Sequence, residues 1–169
     1  MKKRDIFFIV LTSLLIVVFL FPIEKNLGLS LDKYLFLLFV LLPVAALLGF
    51  YGLYILTKKI PVLWQFGKFV EVGVLNTLVD WGVLNFLVLI SGVASGIAFS
   101  FFKSISFLVA LFNSYIFNKF WTFEKSSVKR AGKEFLEFVF AALPGWLEIF
   151  YVVSSGIYIF TSTIHDTIS

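Results

Sequence analysis

Two apolar runs of membrane-spanning length, Phe69–Ile90 and Ile97–Asn118, are separated only by the break SGVAS and one further glycine. So short a connection predicts that the runs fold back on each other as an antiparallel helical hairpin. Yet the hairpin carries Glu71, Asn76, Asp80, Asn85, Lys103, Asn113 and Asn118. A charged group at membrane depth costs roughly 2.5–3.5 kcal/mol on insertion scales, so these side chains are expected to face protein or water rather than lipid. The hairpin is therefore the candidate site, with the remaining chain arranged around it.

The composition extends the argument to the whole chain. Of 169 residues, 60% are hydrophobic and only 14% charged, and water-facing surface cannot be made from that mixture. The fold class is all-α transmembrane, with about five membrane-spanning helices and the antiparallel hairpin at the centre. Without cysteine there is no disulfide frame or thiolate metal site, and a single His165 offers no ligand cluster. No metal or other cofactor is expected. The net charge of +4 sits at the ends of apolar runs, where it reads as a topology signal and not as a nucleic-acid surface.

Residues 1–5, MKKRD, form a basic cap before the apolar run Ile6–Phe21. Bulky FPIEKN follows where a signal peptide would need small residues, so this run reads as a retained helix with Pro22 and Ile23 at the interface. Tyr34–Thr57 is a second span, with Pro43 placed to kink it and Gly49 and Gly52 suited to close packing. Lys58, Lys59, Pro61 and Lys68 mark a short basic connection into the hairpin, with Trp64 and Phe66 as interfacial residues. After the hairpin comes the most basic loop, 119–133, and then a fifth apolar run, Phe135–Phe160, interrupted at Pro144-Gly145.

The N-terminus, the 58–68 connection and the 119–133 loop hold eleven of the fourteen Lys and Arg residues. The intervening loops are balanced or lack basic residues. This alternation is the positive-inside pattern, which places the N-terminus in the cytoplasm and, with five spans, the C-terminus outside.

On an ideal helix Gly73, Asn76 and Asp80 lie within about 60° of one another, and Lys103, Ser106, Ala110, Asn113, Ser114 and Phe117 within about 100°. Counting back equally from the turn puts Asp80 near position 107, about one helical turn from Lys103, and Asn76 near position 111 beside Asn113. The expectation is an Asp80–Lys103 ion pair and an Asn76–Asn113 amide contact. For the asparagines, helix–helix stabilisation and ligand contact are equally good readings. Lys103 has the alternative of reaching outward to the interface. Glu71 and Glu137 read as interfacial. Glu148, beside the Pro144-Gly145 break, is a secondary candidate because unwound backbone often lines a polar cavity. In NSYIFNKFWTF, Trp121 and the Phe residues suit an aromatic belt, while Asn118 and Lys119 are placed to hold a lipid phosphate.

Two patterns give the hairpin a resemblance. Phe69, Gly73, Asn76, Thr77 and Asp80 match FxxxGxxNTxxD, and Asn113, Asn118, Lys119, Trp121, Thr122 and Phe123 match, with a small shift, NxxxNKxWTF. The chain thereby resembles the GtrA-like family of small multi-span membrane proteins. The resemblance is good over residues 65–123 and loose over 133–160. It implies a role in cell-surface polysaccharide synthesis at the cell membrane, by flipping or binding a polyprenyl-phosphate-linked sugar. Residues 1–60 then read as a two-helix membrane extension and 61–169 as the GtrA-like domain, ending about where a fourth family helix should begin.

Three function classes follow. In the first, a non-enzymatic translocator or binder shields a phosphate and sugar: Lys103 or Lys119 meets the phosphate, Asn76 and Asn113 meet hydroxyls, and Asp80 balances Lys103. In the second, the chain anchors a glycosyltransferase partner at the bilayer through loop 119–133. The third, an enzyme, lacks a nucleophile–base pair, a metal cluster and a nucleotide loop, and is not expected. Five short helices enclose little space, which favours a homo-oligomer if a substrate path exists.

Overall fold

The computed structural model describes residues 1–29 and 32–124, together with Glu137, Val139, Phe140 and Leu147 as single helical positions. Apart from those four positions the fifth apolar run, with the Pro144-Gly145 break and Glu148, lies outside the described residues. Within them the chain is all-helical: α1 (Lys3–Asn26), α2 (Asp32–Leu56), α3 (Val62–Ser91) and α4 (Gly96–Phe117), the last running on into a π-helical turn, Asn118–Thr122. All four helices are long and apolar enough to cross a membrane.

Local chemistry sets the helix ends. Gly92, with φ of 69°, closes α3 in the left-handed region that favours glycine, and its N–H donates to the Val88 carbonyl at 2.8 Å. Gly96, with φ of 78°, then redirects the chain into α4. At the other end of α3, the carbonyls of Ile60 and Pro61 accept the N–H groups of Leu63 and Trp64. Pro61 therefore starts a helix where the sequence suggested a connecting loop, since a ring-fixed φ suits a first turn. As a result Trp64, Phe66 and Lys68 are helical residues. At 30 residues α3 measures about 45 Å, longer than a bilayer's apolar core of about 30 Å, so at least one of its ends rises into the interface or the helix tilts.

α3 is the central element, packing broadly against both α1 and α4, while α2 leans mainly on α1. Lys68, Val72, Leu75, Val79 and Gly82, at steps of four and three, are its buried face. They meet Ile9 and Ile16 of α1, Phe50 of α2, and Ala110, Phe117 and Trp121 from α4 and its π turn. Outside this seam, Phe36, Leu48, Phe66, Phe86, Ile97 and Phe101 are exposed, as lipid-facing side chains are.

The closest backbone approach is not where the sequence suggested. Gly49 and Gly52 of α2 face open space, as does Gly73. Gly82 instead lies against α1, where an added Cβ would stand 2.7 Å from the Phe19 carbonyl oxygen. Backbone cannot yield as a flexible side chain can. Gly82→Ala should therefore destabilise the protein by about 1–3 kcal/mol, whereas Gly73→Ala should be close to neutral, in thermal or denaturant unfolding in detergent.

Candidate functional site

Polar groups concentrate at two levels of this apolar bundle. The first joins α3 to α4 within their spans. Lys103 Nζ donates to Asp80 Oδ2, and the Ser106 hydroxyl donates to Asp80 Oδ1 at 2.6 Å and is also within 3.0 Å of the Lys103 carbonyl. Side chains of Asp80 and Lys103 are 18% and 14% exposed, so the pair borders the surface without projecting into it. A carboxylate accepting one charged and one hydroxyl donor retains free lone pairs, and the ammonium retains donors.

Asn76 lies one turn from Asp80 and Asn113 about 15 Å along α4 from Lys103, and the two do not close on one another. Asn76 Oδ1 and Asn113 Nδ2, the acceptor and donor an amide contact would join, are each buried and have no hydrogen-bond partner. Register explains this. Pairing Asp80 with Lys103 and Ser106 brings Asn76 level with about residues 107–110, roughly one turn short of Asn113. Asn118, the first residue of the π turn, donates from Nδ2 to Ser114 Oγ at 3.2 Å, while its Oδ1 is also buried and unpartnered. Lys119 is 5% exposed and lies back on Tyr115, its Nζ 2.9 Å from the phenol oxygen, rather than reaching toward headgroups. Asn85 belongs elsewhere: its carbonyl and Oδ1 accept the Asn26 amide at 2.8 and 2.9 Å, tying α1 to α3. Glu71 is not simply interfacial, because Thr12 of α1 donates to its carboxylate at 3.0 Å.

The second level lies at the bundle end that carries the N-terminus, and sequence reasoning missed it. Lys68 has no exposed surface, and its Nζ lies 2.7 Å from Asp5 Oδ1. It also reaches Glu124 Oε1 at 3.3 Å and the Trp121 carbonyl at 3.4 Å. The ammonium stands 5.3 Å from the centre of the Trp64 ring and 5.9 Å from that of Trp121. Asp5 is as fully used: Oδ1 accepts the Trp121 indole N–H at 3.3 Å and Oδ2 the Lys2 main-chain N–H at 3.1 Å. Glu124 is further clamped by Lys2 at 2.9 Å and Arg4 at 2.8 Å, which holds its carboxyl down at about 2. Beside this network opens a cavity of about 470 Å³, bordered by Asp5, Lys2, Tyr54, Trp64 and Glu124 among others.

From the sequence, Lys68 belongs to the short basic connection before the hairpin; in the structure it is a buried helical residue. The available signal was its place at the head of the stripe Val72, Leu75, Val79, Gly82, since a cation continuing a buried face must find a buried anion. Nothing in local sequence pointed to Asp5, 63 positions away, as that anion. Among the described residues no group of acidic, His or Cys side chains is arranged to hold a metal ion.

Compared with known proteins, residues 68–167 match the family model described as GtrA/DPMS, transmembrane domain. Neither the curated proteins nor the solved structures contain a match. The matched region takes in Asp80, Lys103, Lys68 and Trp121, and leaves Asp5 outside it, on α1.

Removing one member of a buried ion pair strands the other. Lys68→Met should cost about 3–5 kcal/mol in detergent unfolding, and Lys68→Met with Asp5→Leu should recover most of that loss. Asp5→Asn should be milder, because Lys68 keeps Glu124 and the Trp121 carbonyl. Because Glu124 titrates lower folded than unfolded, its stabilising contacts are fully present above pH about 4.5, weaken below it, and are gone once pH falls through about 2. The stability difference between wild type and Glu124→Gln, followed across that range, should show this loss and should shrink with added salt, since the group is a third exposed.

Proposed function

This chain belongs to the GtrA/DPMS transmembrane-domain family, multi-pass membrane proteins of polysaccharide and glycan synthesis, and on that premise we propose that it binds and flips a polyprenyl-phosphate-linked sugar. A lipid carrier keeps its tail in the bilayer, so the protein has only to shelter a phosphate and a sugar during passage. The observation that carries this reading is the Asp80–Lys103–Ser106 cluster set within the membrane-spanning length of α3 and α4. Charge at that depth is costly, and it is retained where a polar ligand repays it. In this reading Lys103 meets the phosphate, Asp80 holds and balances it, and Asn76 meets sugar hydroxyls, while the unpartnered amide atoms of Asn113 and Asn118, about 15 and 22 Å farther along α4, line the next part of the path. Lys119 joins them by leaving Tyr115. Glu148 stays a secondary candidate.

The rest of the assignment follows from the distribution of Lys and Arg and from the fifth apolar run. They support a cytoplasmic N-terminus, five spans around an α3–α4 hairpin, and an external C-terminus. The action is non-enzymatic. In that reading the carboxylate–ammonium pair serves binding, and the Ser106 hydroxyl, donating to Asp80, orients the carboxylate.

The test is leaflet exchange of a labelled polyprenyl-phosphate-linked sugar in vesicles holding the protein. Asp80→Asn and Lys103→Met should each slow exchange about tenfold or more, the size of a lost charge-assisted hydrogen bond of about 1.5–3 kcal/mol. Unchanged rates would remove both residues from the site. No exchange even by wild type, with capture of a membrane glycosyltransferase lost on charge reversal in loop 119–133, would favour the anchoring role instead.

A further inference from the structure

At the Asp5–Lys68 contact one carboxylate has two tasks: it closes the capping box that starts α1, and it fills donors supplied by α3 and the π turn. Three donors converge on one carboxylate: the Lys68 ammonium at 2.7 Å, the Trp121 indole N–H at 3.3 Å and the Lys2 main-chain N–H at 3.1 Å. An ammonium, an indole and a backbone amide make a donor-only set, which is how proteins hold an oxyanion. Two of those donors, Lys68 and Trp121, fall within the family-matched residues, whereas the carboxylate that fills them comes from α1, outside the match. Geometry also gives a route in. Asp5 lines the cavity of about 470 Å³ and Lys68 does not, so the carboxylate stands between the open space and the ammonium. Tyr54, Thr57 and Trp64 line the same cavity, giving aromatic faces and a hydroxyl beside the anion position. A volume of that size holds a sugar-sized group.

We propose that Lys68, Trp121 and the Lys2 amide form a second phosphate-binding site, at the N-terminal end of the bundle, and that Asp5 is its built-in occupant, displaced when a phosphate-bearing headgroup enters the cavity. A phosphate offers more acceptor oxygens than a carboxylate, so it takes over all three donors, and Arg4 and Lys2 together outweigh by one charge the Glu124 carboxylate that also lines the cavity. Displaced Asp5 turns into the cavity mouth, where water solvates it. The α1 extension then acts as a gate: it keeps the cation neutralised while the site is empty and yields it to ligand. The choice of a lipid-borne phosphate rests on the function proposed above; the site itself does not use Asp80 or Lys103.

Binding of polyprenyl phosphate to the full chain in nanodiscs tests this, with soluble glucose 1-phosphate as a second arm to separate a lipid headgroup from a free sugar phosphate. Asp5→Asn should bind polyprenyl phosphate at least tenfold more tightly than wild type, and adding Lys68→Met to Asp5→Asn should abolish that gain while leaving the binding due to the Asp80–Lys103 cluster. The gain should persist in Asp5→Asn combined with Lys103→Met, which isolates this site from the cluster inside the spans. Equal gains for glucose 1-phosphate would make the ligand a soluble sugar phosphate, which overturns the lipid assignment. Asp5→Asn binding no more tightly than wild type would show the pair to be structural only. Should Asp5→Asn not fold, wild type decides: saturating polyprenyl phosphate should shift the Trp121 indole N–H resonance, in spectra assigned by Trp121→Phe. A resonance unmoved at saturation overturns the gate.

Discussion

A buried lysine is tolerable only if an anion accompanies it out of water, and in this protein that requirement ties together the whole N-terminal end of the bundle. Lys68 on α3 has no exposed surface, and its partner Asp5 is supplied by the first turn of α1. Through Trp121 and Glu124 the same two groups fix the end of α4, and Trp121 in turn stacks on Phe8 and lies tilted against Phe50. Desolvating both charges costs several kcal/mol, and only the full set of donors and acceptors offsets it. One ion pair therefore sets how three helices meet.

A second consequence is that α1 is not an appendage to the family-like region. It packs along α3 as extensively as α4 does, supplies Thr12 to Glu71 and Asn26 to Asn85, and makes the closest backbone approach at Gly82. In lipid, apolar surface gives helices little reason to associate, so such polar clamps and close glycine contacts decide which faces meet. α2, with few of either, keeps most of its surface for the acyl chains.

Several polar groups on α3, α4 and the π turn are less satisfied than the two charged levels. Asn76, Asn113 and Asn118 each leave a buried amide atom without a partner, and Thr122 leaves its hydroxyl so. Amides in an apolar setting that have not closed on each other keep their hydrogen-bonding capacity for something else, at a cost in stability. The π turn at Asn118–Thr122 contributes to this. Its wider winding, closed by the Phe123 N–H on the Asn118 carbonyl at 2.9 Å, turns Trp121 inward to Asp5.

Much of this was legible from residue order. Apolar runs with charged ends gave the helices, the short break at 91–95 gave the pairing of α3 with α4, and equal counting from that break brought Asp80 to Lys103. The same counting was too coarse for Asn76 and Asn113, because a stagger of one turn separates contact from no contact. Periodicity could also have marked Lys68 as inward-facing. What no local pattern contained was the identity of its partner, since an ion pair across 63 residues depends on how α1 lies against α3. The residue pattern by itself determined that these segments must be helices in a bilayer and that their polar groups must turn inward, because neither backbone nor charge can be left in hydrocarbon. Only the tertiary packing decided which polar groups share a level, because depth and rotation are set by contacts between helices and not within them.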